Sequence, residues 1–524
     1  MKYKFIKAVT ALLAVIAVDI SCNKKDLNLT APQISEPAFF KTEAEFRMAI
    51  VGTYAMLTDY FSSATSSGAN NTTQSRIWML PGDDLTNDQN PDFEYFGQLT
   101  PGTGEISDFF RSSYILIGRA NKVIARIKSA ESGVFTTPGL KNKNEGEMLF
   151  LRAYGHYMLW NVFGKYAPLD TVEVTSLSQL NPPSSTQTQL LDQAISDLTR
   201  AANLLTSGTE WSEADLGRVT ANSANGLLGK CLVFRGTVNN TPADFTAAIA
   251  AFNKISGVSL VSNFRDNFDY KTENNSESLF EFQAGAPLRG PGSTNIWLGN
   301  DLADIGVSSA YWTSFGWFDT PGNNNAWTSY IGGGFWTPTA KLVNIFDEND
   351  PRRNLTFNKR DWGYSSIEKY ISSNKEDATG ASVNNPRILR YADVLLLKAE
   401  AILNSGGSTA EAIELLNTVR KRARDMVENG TSPAALDITN TNRTTIMQWI
   451  MDERLMELAA EGQRWFDLRR WAIGGKITLN NAFFSAENAD NMRYESSPAN
   501  KYLTFPIPFS ETDKNKNITP TPGY

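Results

Sequence analysis

The chain has 524 residues, 41% of them hydrophobic and 20% charged, with a formal net charge of −7. That balance fits a globular protein with one large domain or two, and it excludes an intrinsically disordered chain. A pI near 5.2 argues against a nucleic-acid partner.

At the N-terminus, Lys2, Lys4 and Lys7 precede an apolar run from Ala8 to Val18. A basic segment before a short apolar one is the pattern of a secretory signal. The run is too short to span a bilayer, which takes roughly 20 residues. It ends at Ser21-Cys22. In bacterial lipoproteins a cysteine at this junction is acylated and becomes the new N-terminus. Residues 1–21 are therefore expected to be a lipoprotein signal peptide, Cys22 the lipidation site, and 22–41 a tether. Acyl chains, at ~0.8 kcal/mol per buried CH₂, hold a soluble domain on a membrane without a spanning helix.

Amphipathic helices follow. "TEAEFRMAIVGTYAMLTDYF" (42–61) opens with a Thr42/Glu45 capping box and spaces Phe46, Ala49, Ile50 and Tyr54 on one face. Further helices are predicted over 112–130, 144–164, 188–205, 221–236 and 241–255, the last opening with Pro242. After a long gap they resume over 387–407, 408–424 and 444–471. Paired helices with short turns predict a mainly α fold, a tetratricopeptide-like stack, although no strict 34-residue repeat is visible. The scaffold is expected over 42–256 and 385–475, in a single domain from 42 to 524 that ends in an extended tail (476–524).

The intervening stretch, 257–384, is rich in Gly, Asn, Ser and aromatics, with short strand-like pieces such as "SLFEFQ" (278–283). A long loop-rich insertion on a regular scaffold is where function is usually carried. Between 297 and 336 it holds Trp297, Tyr311, Trp312, Phe315, Trp317, Phe318, Trp327, Tyr330, Phe335 and Trp336. No Lys or Arg occurs from 291 to 340, which disfavours base stacking with phosphate neutralisation. Flat rings interleaved with Gly and Asn suit the apolar faces and hydroxyls of sugars. Trp297, Trp312, Trp317, Trp327 and Trp336, with Tyr95 from an early loop, are the candidate ligand-binding residues.

Other chemistry finds little footing. The single histidine, His156, sits in the helical pattern "LRAYGHYMLW" and reads as a packing residue; Cys231, in "ANGLLGKCLVFRG", reads as a small buried one. This inventory excludes a His-rich zinc site, a Ser-His-Asp triad and a Cys-His pair. The oxygen-rich run "GDDLTNDQNPDFE" (82–94) is a candidate calcium loop, but it lacks EF-hand spacing and reads better as a solvated loop. No cofactor is expected.

The chain resembles the SusD/RagB family. The resemblance rests on "DLNLTAPQISEPAFFKTEAEFRMAIVGTY" (26–54), "LRAYGHYMLWNVFGKYAPL" (151–169), "GRVTANSANGLLGKCLVF" (217–234) and "DPRR" (350–353). It is strongest in "RYADVLLLKAEAIL" (390–403), "AIELLNTVRKRAR" (412–424), "DERLMELAAEGQRWFDLRRW" (452–471) and the closing "KYLTFPIPFSETDKNKNITPTPGY". It implies a non-catalytic lipoprotein on the outer face of the outer membrane. Such a protein captures a nutrient, mostly glycan, and passes it to a TonB-dependent barrel transporter of the SusC type. It further implies that Glu453, Arg454, Glu457, Arg464, Asp467 and Arg469 pair across the helical core. Ligand is expected on aromatics of the early loop around Trp78, Phe93, Tyr95 and Phe96 and of the insertion. Three other readings stay open: a peptide binder of the same import system, a glycoside hydrolase using two carboxylates, and a scaffold that binds only its transporter.

Overall fold

A computed structural model describes residues 39–61, 76–86, 93–94, 96, 99–205, 211–212, 215–284, 337–359, 365–370, 384–484 and 503–524. The first helix, α1 (Glu43–Tyr54), starts at the expected capping box: Glu45 N–H donates to the Thr42 hydroxyl, and the Glu45 carboxylate accepts from Thr42 N–H at 3.0 Å. Then come α2 (Gly104–Ser129), α3 (Leu140–Phe163), α4 (Gln189–Leu204), α5 (Ala221–Asn239) and α6 (Pro242–Phe252), each packed on the next in sequence from α2 onward. The helix α3 is the axis of the core. Every residue from Asn144 to Phe163 is buried, so it is enclosed on all sides rather than striped. Gly155 lets α2 come close, because a Cβ there would stand 2.8 Å from Ile117 Cγ1.

The long segment after α6 holds short helices α7 (Ala340–Ile345) and α8 (Pro351–Thr356). The stack then resumes with α9 (Tyr391–Asn404), α10 (Thr409–Arg424), α11 (Arg443–Leu458) and α12 (Arg464–Ile473), and α13 (Phe509–Lys514) lies near the chain end. Since α6 packs directly on α9, the scaffold closes across everything between them. Among the described residues no helix is long and apolar enough to cross a membrane.

Among the described residues three two-stranded antiparallel sheets punctuate the helices: β1 (Leu85–Thr86) with β3 (Thr337–Pro338), β2 (Ser278–Glu281) with β6 (Arg387–Arg390), and β4 (Phe357–Lys359) with β5 (Ser365–Ile367). Two of the predicted helices are corrected here. The helix expected from 387 begins at Tyr391, because Arg387–Arg390 pairs with β2 instead. The helix expected over 444–471 is broken after Leu458. Ala460 (φ 60°) and Gly462 (φ 74°) take left-handed conformations there, and the chain turns before α12.

Candidate functional site

The two segments expected to carry ligand are rooted on the same sheet. β1 leads into the early loop and β3 is where the insertion returns, paired in register Leu85↔Pro338 and Thr86↔Thr337. Residue Trp336 immediately precedes this pairing, and the run beginning at Asn87 immediately follows it. Before the aromatic stretch, Ala284 N–H donates to Asn385 Oδ1 at 2.7 Å.

Asp83 and Asp84, at the head of the run 82–94 read as a solvated loop, are instead buried and form the clamp of this sheet. Asp83 is fully buried and accepts from Arg464 Nη2 at 2.9 Å and Lys341 Nζ at 2.5 Å. Burial alone would raise its carboxyl, but the two cations hold it well below the usual range. The Asp83 and Asp84 carbonyls accept from the hydroxyl and the backbone N–H of Thr339, at 2.8 and 3.0 Å. Asp84 Oδ2 accepts from Ala460 N–H at 3.0 Å. The left-handed turn between α11 and α12 is thereby fastened to β1. Among the described residues no cluster of His, Cys, Asp and Glu is arranged to hold a metal.

A wider ionic lattice fixes the return of the insertion to the scaffold. Arg352 of α8 reaches Glu453 (2.6 Å) and Glu457 (2.8 Å) of α11. Arg390 of β6 bridges Glu457, Glu277 and Glu461, each at 2.7 Å, and Lys369 adds Glu461 at 2.8 Å. Arg454 joins Asp393 (2.8 Å) to Asp467 (2.7 Å). Glu453, Arg454, Glu457, Arg464 and Asp467 thus pair in the core as expected. Arg469 does not. Its guanidinium lies over Trp160, 4.5 Å from the ring centroid, and Nε donates to Leu503 O at 2.5 Å. With no carboxylate partner among the described residues, burial lowers it to about 9.

Trp78, Phe93 and Phe96 are not displayed to ligand; all three are buried. Trp78 packs edge-on to Tyr60 and Phe61, while Phe96 lies against Trp465 and Phe505 at 5.6 and 4.8 Å. Their placement as ligand rings follows from the family resemblance, which marks the region but not which of its rings pack inward. His156 is a packing residue, buried and neutral: Nε2 meets Asp170 O at 2.9 Å, and burial with Arg152 nearby lowers it to about 3. Cys231 is buried too, its thiol pushed up to about 12 by desolvation. Tyr95, Trp297, Trp312, Trp317, Trp327, Trp336 and Cys22 lie outside the described residues.

These features define a helical-repeat scaffold carrying a long insertion pinned at both ends. Two family models match the chain: "Starch-binding associating with outer membrane" over residues 34–233 and "SusD family" over 353–524. The SusD-like protein P2 of Formosa agariphila is 26% identical over the full length of both chains. A solved laminarin-binding SusD-like protein matches with TM-score 0.69 and 22% identity, over 92% of this chain and 100% of its own. Surface glycan-binding protein A from Bacteroides thetaiotaomicron, solved with laminarihexaose, matches with TM-score 0.69 and 20% identity, over 91% and 99%. Both matching models are of the SusD type, and the solved structures share the chain's fold.

Proposed function

We propose that this is a non-catalytic glycan-binding lipoprotein, anchored through Cys22 to the outer face of the outer membrane, that delivers its ligand to a SusC-type TonB-dependent transporter. The observation that carries the reading is the β1–β3 pairing, which roots the early loop and the aromatic insertion side by side. The two segments that this reading assigns to ligand thus leave and rejoin the scaffold at one place. The outer-membrane description of the N-terminal family model and the glycans named for two solved relatives point the same way.

The test is a glycan panel presented to the chain from Asn23 onward, read for both retention and new reducing ends. Retention of one glycan class without cleavage is expected. Release of reducing ends would replace the reading with a carboxylate-dependent hydrolase, and retention of peptides alone would move the ligand class. Anchoring is tested separately: Cys22→Ala is expected to leave the protein unprocessed or shift it from the membrane to the soluble fraction.

A further inference from the structure

Four exposed aliphatic side chains are gathered on one ordered loop. After α3 the chain runs along α2: Tyr114 OH donates to Pro168 O (2.5 Å), Asn121 Nδ2 to Val172 O (3.1 Å), and Arg126 forks onto Glu173 with two bonds of 3.0 Å. The tip is a capped turn, in which Gln179 Oε1 accepts from Thr175 N–H (2.8 Å) and Ser176 N–H (3.1 Å). The return leg is tied to the C-terminal tail by Asn517 Nδ2 to Asn181 O (2.8 Å) and Asn515 Nδ2 to Pro182 O (2.7 Å). Held this firmly, the loop still presents Val172 (53% exposed), Val174 (45%), Leu177 (84%) and Leu180 (53%). Phe509 of α13 is 58% exposed.

Beside the loop, between α2 and α13, lies a groove of about 570 Å³ with Phe110, Tyr114, Leu169, Val174, Leu180 and Ile518 in its lining. A rigid apolar projection next to an apolar hollow, rimmed by Asp170, Gln179, Glu511 and Lys514, has the make-up of a protein interface. Its order is already in place before binding, which lowers the entropy lost on docking. A lipid surface fits less well. It would cover Leu177 but leave the groove unfilled. Residues 170–182 also contain no Trp, Tyr, Lys or Arg, the types that settle at membrane interfaces or on anionic lipid.

The loop's position limits what can reach it. Phe39, Phe40 and Lys41 line a small hollow with Arg126 and Ala130 at the C-terminal end of α2, beside the Arg126–Glu173 pair. The chain toward Cys22 therefore departs next to this loop. Cys22 precedes Phe39 by 17 residues, a reach of at most about 60 Å when extended. With Cys22 acylated, the departure point at Phe39 lies within that reach of the membrane, so a protein embedded there can meet this flank.

We propose that the 172–180 loop and the groove beside it dock the membrane-embedded transporter, which seats an apolar segment between α2 and α13 and receives Leu177. The proposal rests on the lipid-anchor and transporter reading above. It is tested on the full-length lipoprotein co-expressed with the SusC-type transporter of the same organism. A photo-crosslinking residue is placed at Leu177, at Leu180 or, as control, at the exposed Met48 of α1. Transporter adducts at least tenfold more abundant at 177 and 180 than at 48 are expected. Leu177→Asp with Leu180→Asp is expected to lower the recovered complex at least tenfold, with the thermal midpoint of the free protein unchanged within a few degrees. Equal labelling at all three sites, or labelling of lipid alone, overturns the docking surface while leaving the transporter reading intact. Wild-type protein that recovers no transporter at all overturns both.

Discussion

At the scale of single residues, the molecule's chemistry is dominated by buried charge that is paired rather than reactive. Removing one partner of such a pair leaves an uncompensated ion in the core, at about 3–5 kcal/mol. Arg464→Ala is expected to lower the thermal midpoint more than Lys341→Ala, because Arg464 grips both oxygens of Asp83, whereas the Lys341 side chain is 24% exposed. Differential scanning calorimetry of the two variants would check the order. The pairing also sets an acid limit. Burial alone would push the carboxyls of Asp83, Asp393 and Glu457 up, but the cations against them hold all three well below the usual range. Each therefore stabilises the fold fully above the unfolded carboxylate pKa of about 4 and loses that contribution as pH falls further. Asp84 has the opposite sign. Burial, opposed by the Ala460 N–H and reinforced by Asp83, raises it to about 6. Between about pH 4 and 6 it is ionised when unfolded and protonated when folded, so its contribution weakens as pH rises. Melting curves across pH are expected to collapse below about pH 4. Asp84→Asn is expected to lessen the decline between 4 and 6, since burial also raises Glu147, and to leave the acid collapse in place.

At the scale of elements, helices were legible wherever a stripe or a cap was local. The Thr42–Glu45 box and Pro242 stand where the sequence places them, because each works within a single turn. The breaks were not legible. Nothing near 459–463 announces that Asp84, far earlier in the chain, will bond Ala460 N–H, or that Trp78 will crowd Gly462. A Cβ at Gly462 would stand 2.6 Å from Trp78 Cδ1 at a φ of +74°, whereas Gly475, at +68°, has nothing within 4 Å. Gly475→Ala should cost about 1–2 kcal/mol for its backbone alone. Gly462→Ala adds the crowding of a packed core, about 1–3 kcal/mol more. Comparing the two melting midpoints isolates that second part, and equal shifts would show that the Trp78 contact yields freely.

At the scale of the whole molecule, the fold class and the ionic heart of the scaffold were readable because they recur as motifs, while the candidate site was readable only as a composition. An aromatic cluster rich in Gly and Asn says which chemistry is present, not which ring faces outward; Trp78, Phe93 and Phe96 show how an early-loop ring can belong to the core. The remaining candidates give a sharp expectation. A sugar packed on an exposed Trp contributes roughly 1–3 kcal/mol, and each 1.4 kcal/mol is about tenfold in affinity. Replacing two of Trp297, Trp312, Trp317, Trp327 and Trp336 with Ala is expected to abolish measurable glycan retention by isothermal calorimetry and to move the melting midpoint only a few degrees. A large loss of stability would assign those rings to packing instead.

The direct packing of α6 on α9 has a consequence in chain entropy. Phe252 and Tyr391 end and begin these helices, so the contact closes a loop of well over a hundred residues. Closure entropy grows only with the logarithm of loop length, about 0.6 kcal/mol for each doubling. Lengthening the stretch between Ala284 and Thr337, which leaves Glu277, Lys341 and Arg352 in place, therefore adds little closure cost to the helices around it. Selection can vary the length of this stretch while the scaffold that closes around it stays the same.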